Sequence, residues 1–336
     1  MVRSRTLRIV IGIAISLSLL FAVFYKIHFV ELWTAFKKTS FWDLFLCICF
    51  FGLNCIARAF ISHFTIRSIK RTPFFTLLGG VVVGYMANNL LPLRAGELVR
   101  AHYLSRKSGI SGGMAFSTVC IERVTDVFSL CFLLVAAIWL RTKGLSMHNA
   151  EGTIVLMAAL ISGIVVFLLA FNRLIYGKEK KYHGFLSHAF RMIEDFLKPI
   201  GQLRQPKKFF LVILLSLTAW ACNYFSLFFL IRNWSSPSLE AALLLLLFIN
   251  LGMLLPSSPG AIGVMQFAFW MALAPFNIYR EQALALSFAY QFGLYLFTLP
   301  LGVAFYSQIK PGITKITEGA EFDVKADDAI DLLHPE

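Results

Sequence analysis

Charged residues are scarce in this chain. They make up 15% of its 336 residues, against about 25% in a typical soluble domain. Only 18 are acidic, too few for an ordinary solvated surface. The patterns that carry metal or nucleotide chemistry are missing too. The seven histidines fall mostly in loops and show neither HExxH nor metal-ligand spacing, and no nucleotide-binding loop is found, so no metal and no cofactor is expected. Six cysteines, at 47, 49, 55, 120, 131 and 222, all sit inside apolar segments without CxxC or Cys/His spacing. That points to neither a disulfide framework nor a zinc site and leaves them as packing residues.

What the chain has is apolar length. Hydrophobic residues make up 58% and mean hydropathy is +0.73, more than one soluble core needs. Several apolar runs are long enough to cross a bilayer. Candidate spans are Leu7 to Tyr25, Trp42 to Thr65, Ser111 to Leu140, Gly152 to Phe171, Phe209 to Ile231 and Leu284 to Ser307, with two broken segments at Pro73 to Lys107 and Leu239 to Phe276. The first follows Arg3, Arg5 and Arg8 but shows no small-x-small cleavage site, so it reads as an anchor. The net charge of +13 resides in loops between spans, where Lys and Arg set orientation. No nucleic-acid partner is implied.

Each broken segment closes on the same core, LLPLRAG from Leu90 to Gly96 and LLPSSPG from Leu254 to Gly260. Paired Gly/Pro-interrupted apolar segments in corresponding halves point to a transporter site near the bilayer midplane. The loop 172–208 is strongly basic, and the positive-inside rule puts it in the cytoplasm only if both broken segments are hairpins that leave by the face they entered. The expected fold is therefore an all-α integral membrane protein of about six full spans plus two re-entrant helical hairpins in an inverted-topology repeat. A transmembrane domain covers 1–310, with repeat one at 42–140 and repeat two at 209–307, and both termini are cytoplasmic. Phe29 to Ser40 suits an amphipathic helix in the outer interface, and the acidic tail 311–336 is expected to be disordered.

The first break reads NNLLPLRAGELVR, from Asn88 to Arg100. A helix from Pro73 should stop near Asn89 and another should start near Arg94, its first amides turned inward as an anion site. In the second break Ser257 or Ser258 is a natural N-cap and Pro259 fits a first helical turn. Asn88, Asn89, Pro92, Gly96, Pro256, Pro259, Gly260 and Gly263 thus mark the helix breaks.

Arg58, Arg94, Glu97, Glu122, Arg123 and Asp126 are ionisable residues within the membrane segments, and their charges sum to zero. Unpaired, the six would cost roughly 15 to 20 kcal/mol on insertion scales, so they must pair or line a wet cavity. Glu122 and Asp126 share a helix face, Arg123 is three residues from Asp126, and Glu122 lies about 17 Å along its helix from Ser111. Arginine stays charged when buried and can grip phosphate bidentately. Arg58, Arg94 and Arg123, with Glu97, Arg100, Glu122, Asp126, Ser257 and Ser258, are the candidate substrate-binding set; no catalytic residue is assigned. The alternative is that the charges form ion pairs that only fix packing. Asn223, Asn250, Gln266 and Gln291 either line a path or bridge helices.

The run NNLLPLRAGELVR, ERVTD from Glu122 to Asp126, and LLPSSPGAIGVMQ from Leu254 to Gln266 resemble, in that order, motifs of the lysylphosphatidylglycerol synthase transmembrane region, a flippase-like family. The resemblance covers about residues 5 to 310. It places Arg94, Gly96, Glu97 and Arg100 on the first family motif, Arg123 and Asp126 on the second, and Pro256, Pro259, Gly260 and Gly263 on the third. Gln266 stands where relatives often have an acid. The resemblance implies a multi-span protein of the bacterial inner membrane that moves a lipid or lipid-linked group between leaflets. Two-domain members carry a soluble aminoacyl transferase domain after the membrane region; only 29 residues, 308–336, follow Ser307, so synthesis of lysylphosphatidylglycerol is not expected. The expected function is translocation of an anionic lipid, with membrane lipids as the partners and no enzymatic activity. The alternatives are a non-transporting partner of a cell-envelope enzyme, and a membrane transferase with Glu122 or Asp126 as base. The oligomeric state is not encoded.

Overall fold

The residues described, in a computed structural model, are 18, 20–21, 23–25, 27–67, 69–91, 95–142, 198–199, 201, 205–234, 238–253 and 258–309. The expected span Leu7 to Tyr25 lies largely outside them, as does the loop 172–208; the span Gly152 to Phe171, the tail 311–336, Pro92, Arg94, Pro256 and Ser257 lie outside entirely. Among the described residues the regular structure is helical, with no strand. The helices are α1 (Phe29–Lys38), α2 (Phe41–Ile66), α3 (Phe74–Leu90), α4 (Gly96–Ser108), α5 (Gly112–Thr142), α6 (Pro206–Ile231), α7 (Ser238–Gly252), α8 (Val264–Leu273) and α9 (Arg280–Tyr306). Short 3₁₀ turns flank α8 at Pro259–Ala261 and Ala274–Phe276.

Four helical stretches among the described residues are long and apolar enough to cross a membrane: α2, α6, α8 with its flanking turns, and α9. At 26 residues, α2 is about 39 Å long, enough for a hydrocarbon core of about 30 Å. Most of its length is Phe, Leu, Ile and Cys, and its polar residues Asn54, Arg58, Ser62 and Thr65 recur at helical spacing on the buried face, as expected of a helix with lipid on one side and protein on the other. By contrast α1 carries Glu31 in its first turn and Lys37 and Lys38 in its last, complementing the helix dipole, and exposes Trp33 beneath the Lys37 ammonium. It packs on α9.

The order long helix, two short helices, long helix occurs twice, as α2 to α5 and as α6 to α9. The leading helices α2 and α6 make the most extensive helix contact and run antiparallel. Asp43 meets Arg232 and Asn233 at one end, Cys47 meets Ser226, the Arg58 guanidinium lies over the Trp220 ring, and Ile61 packs with Val212 at the other end. A break divides each pair of short helices, after Leu90 in the first and after Gly252 in the second. Gly96 lies beside Gly84 and Asn88, Gly84 beside Arg100, and Gly80 beside Leu104, so α4 doubles back along α3. Lys70 Nζ, before α3, donates to the Gly109 carbonyl after α4 at 2.8 Å. The first pair thus ends where it began. In the second, Gly252 at the end of α7 lies beside Val264 and Ala268 of α8.

Two hydrophobic clusters hold these units. One joins α2, α3 and α4 with Phe297 and Phe305 of α9; the other joins α6, α7, α8 and α9. Because α9 serves both, it ties the first helix pair to the second.

Candidate functional site

The two breaks face each other across a cavity of about 150 Å³. That is room for several waters or a small polar group. The first pair contributes Asn88, Asn89 and Glu97 to its wall, and the second contributes Ser258, Gly260 and Ala261. Arg58, Arg123, Trp220, Asn223, Asn250, Gln291 and Tyr295 add to the polar lining.

Local sequence explains each rim. In the first, the Gly96 amide donates to Asn88 Oδ1 at 2.9 Å, so the leading amide of α4 is capped. This corrects the expectation that the first amides there stand open: Asn88 occupies one of them. A Cβ at Gly96 would collide with the Gly84 carbonyl and Asn88, which is why the close approach requires glycine. In the second rim the break is longer than the sequence suggests. Ser258 stands at the N-cap position of the turn that follows, though its hydroxyl donates to the Ile262 carbonyl and makes no side-chain cap, and α8 itself starts later, from Gly263. Pro259 does open a helical turn, a 3₁₀ one. Gly260 has φ 68 and abuts the Tyr295 hydroxyl, so a side chain there meets both backbone strain and a clash. Gln266 Oε1 accepts from the Gly263 amide at 2.7 Å, and its Nε2 donates to Gln291 Oε1 at 2.9 Å. Gln291 in turn donates to the Gly260 carbonyl at 2.6 Å and to the Tyr295 hydroxyl. Asn89 Nδ2 donates to Thr298 Oγ1 at 2.9 Å. Both tips are therefore fastened to α9. Of the four uncharged amides, Gln266 bridges, Gln291 bridges and lines, and Asn223 and Asn250 line the cavity.

Behind the lining stands a charge network. Glu122, with no exposed surface, is gripped by Arg100 through Nη1 at 3.0 Å and Nη2 at 2.7 Å, and by Arg58 Nη1 at 2.7 Å. Arg58 also donates to Asp126 at 3.0 Å and, through Nε, to Asn54 Oδ1 at 3.1 Å. Asp126 accepts from the Trp220 indole at 2.9 Å, and Ser62 accepts from Arg100 at 2.9 Å. These groups are almost wholly buried. Buried charge at this density persists only when paired and hydrogen-bonded.

Arg123 and Glu97 differ. Their side chains are 49% and 26% exposed and meet at 3.5 Å, and Arg123 is bound to Asp126 at 3.2 Å. Both line the cavity. Arg58 lines it too, is only 3% exposed, and its Nη2 has no hydrogen-bond partner among the described residues. Arg100 joins this set through Glu122, while Arg94 lies outside the described residues. Three residues that the sequence argument missed carry much of the geometry: Trp220, Asn54 and Tyr295. Asn54 could have been found, since it precedes Arg58 by one helical turn. Trp220 has no local signal in its apolar run.

Residues 9–302 match the family profile described as the lysylphosphatidylglycerol synthase TM region. The chain belongs to that family. Among curated proteins, the UPF0104 membrane protein MJ1078 of Methanocaldococcus jannaschii is 26% identical over 236 residues, covering 68% of this chain and 96% of the relative. The UPF0104 membrane protein MJ1595 of the same organism is 44% identical over 54 residues, 16% of each chain. Family membership and the long apolar helices make this a multi-pass membrane protein.

Proposed function

We propose that this family member carries the anionic head group of a lipid, or of a lipid-linked molecule, across a bacterial inner membrane through the cavity between the two helix breaks. The observation that carries the reading is Arg58: a buried guanidinium on the cavity wall with one nitrogen unpartnered among the described residues. Such a group attracts an anion, and planar N–H geometry suits phosphate. Arg123 is the second ligand. Its long contact to Glu97 can give way to a phosphate oxygen, while Glu122 and Asp126 hold the arginine frame when the site is empty.

The size of the cavity supports head-group passage with the acyl chains left in lipid. Antiparallel packing of α2 on α6, the leading helices of two equivalent sets, supports an inverted repeat, in which alternating access is rocking of one set against the other. Both termini are then cytoplasmic.

The test is movement of a fluorescent phosphatidylglycerol analogue between leaflets of proteoliposomes, with a phosphatidylcholine analogue beside it. Selective movement of the anionic probe, lost in folded Arg123→Gln and Arg58→Gln protein, is expected. Movement no faster than in protein-free liposomes overturns the reading.

A further inference from the structure

The central cavity is divided by charge. Its charged lining residues, Arg58, Glu97 and Arg123, come from α2, α4 and α5 of the first helix set, and among the described residues the second set, α6 to α9 with its turns, adds no charge to the wall. What the second set adds is Asn223 of α6, Asn250 of α7, and Tyr290, Gln291 and Tyr295 of α9. An anion held by Arg58 and Arg123 uses the first half and leaves the second without a task.

Some of these neutral groups are already engaged. Gln291 is spent on Gln266, the Gly260 carbonyl and Tyr295. Asn250 Nδ2 donates to the Leu246 carbonyl at 2.7 Å, which leaves its Oδ1 as an acceptor. Asn223 and Tyr290 make no hydrogen bond among the described residues, although Tyr290 is only 6% exposed and its ring is fixed against Phe269. A polar group that deep is costly unless something in the cavity pairs with it. A carboxamide donates and accepts, as does a phenol, and the group that answers both is a hydroxyl. A second phosphate has no donor for the Asn250 oxygen, and a quaternary ammonium has neither donor nor acceptor. Position agrees with chemistry. The Trp220 ring lies 6.0 Å from the Arg58 guanidinium, and Asn223 is three residues from Trp220 on the same face of α6. That is about 4.5 Å along the axis, the reach from a phosphate to the hydroxyls of a three-carbon alcohol esterified to it.

We infer that the head group this cavity takes is a phosphodiester whose second alcohol is a polyol, with its phosphate on Arg58 and Arg123 and its free hydroxyls on Asn223, Asn250 and Tyr290. The inference rests on the head-group translocation proposed above and adds the specificity: the first helix set reads the charge and the second reads the hydroxyls. An anionic lipid with a bare or alkyl-capped phosphate satisfies only half of the wall.

The test compares two fluorescent-tailed probes in proteoliposomes of the full chain, phosphatidylglycerol and phosphatidylpropanol. Both carry one negative charge and a three-carbon head, and only the first has hydroxyls. Initial rates at low probe density should favour phosphatidylglycerol by about 10-fold, the worth of one net hydrogen bond. Asn223→Leu and Tyr290→Phe, each close in bulk to the residue it replaces, should slow phosphatidylglycerol and bring the ratio of the two probes toward one. Two variants on different helices keep a folding defect in one from deciding the matter. Equal movement of both probes by wild type overturns the polyol assignment and leaves anion translocation standing. A ratio preserved in both folded variants overturns the assignment to the second helix set. Movement of neither probe above protein-free liposomes overturns the translocation reading and this inference with it.

Discussion

Arg100 of α4 and Glu122 of α5 meet end-on, Nη1 on one carboxylate oxygen at 3.0 Å and Nη2 on the other at 2.7 Å, with the carboxylate sealed from solvent. Removing one partner strands a buried charge, at about 3 to 5 kcal/mol. Arg123, half-exposed and held by longer contacts, belongs to the class of pairs worth about 1 kcal/mol or less. Arg100→Ala should therefore lower the thermal midpoint in detergent sharply or prevent accumulation, while Arg123→Gln should unfold close to wild type and fail in lipid movement. Equal loss of stability in both would make the whole network structural.

The first helix pair depends on the absence of one atom. A Cβ at Gly96 collides with the Gly84 carbonyl and Asn88, and neither is the loose end of a long side chain; a Cβ at Gly112 meets open space. Gly96→Ala should cost about 1 to 3 kcal/mol, the range for overpacking, and Gly112→Ala should be near neutral. Thermal unfolding of the two variants side by side checks this.

The elements were legible because hydropathy and Pro/Gly breaks are local signals. Trp42 to Thr65 is realised as Phe41–Ile66, Ser111 to Leu140 as Gly112–Thr142, and the stop near Asn89 as Leu90. The pairing of Glu122, Arg123 and Asp126 was also within reach, since helical spacing fixes which neighbours can meet. Partners supplied by distant helices were not. Arg100 stood among the candidates without a partner in view, and only the doubling back of α4 brings it to Glu122. Trp220 reaches Asp126 because α6 packs against α5, a contact that no local pattern encodes. The second break runs longer than its motif suggests for a related reason. Ser258 has the chemistry of a cap, but Gln266 on α8 captures the Gly263 amide and moves the helix start to Val264.

That capture makes Gln266 the keystone of the second rim. Gln266→Leu keeps similar bulk but leaves the Gly263 amide without its acceptor and Gln291 without a donor. Each buried orphan costs roughly 1 to 3 kcal/mol. The variant should be destabilised by several kcal/mol and its second tip loosened from α9. Hydrogen exchange at residues 258–266 should accelerate more than exchange in α2; uniform acceleration would mean that Gln266 supports the fold as a whole.

The topology makes a prediction about sides that does not depend on any substrate. Lys70 and Gly109 are joined at 2.8 Å, so the chain leaves the α3–α4 pair on the face it entered, and Gly112 lies with Arg67. Antiparallel packing places Lys207 at that end as well, and puts Ser40 and Leu239 at the other, where Asp43 meets Arg232. Cysteines introduced singly at Gly112 and Lys207 should react with a membrane-impermeant maleimide from one side only, and those at Ser40 and Leu239 from the opposite side. The native thiols of Cys47, Cys49, Cys55, Cys120 and Cys222 lie within the helices, and the parent chain supplies their background labelling. If α3 and α4 together crossed the bilayer, Gly112→Cys would label with Ser40→Cys. That result would remove the hairpin, and with it the inverted repeat on which alternating access rests, while leaving the buried charge network as a purely structural feature.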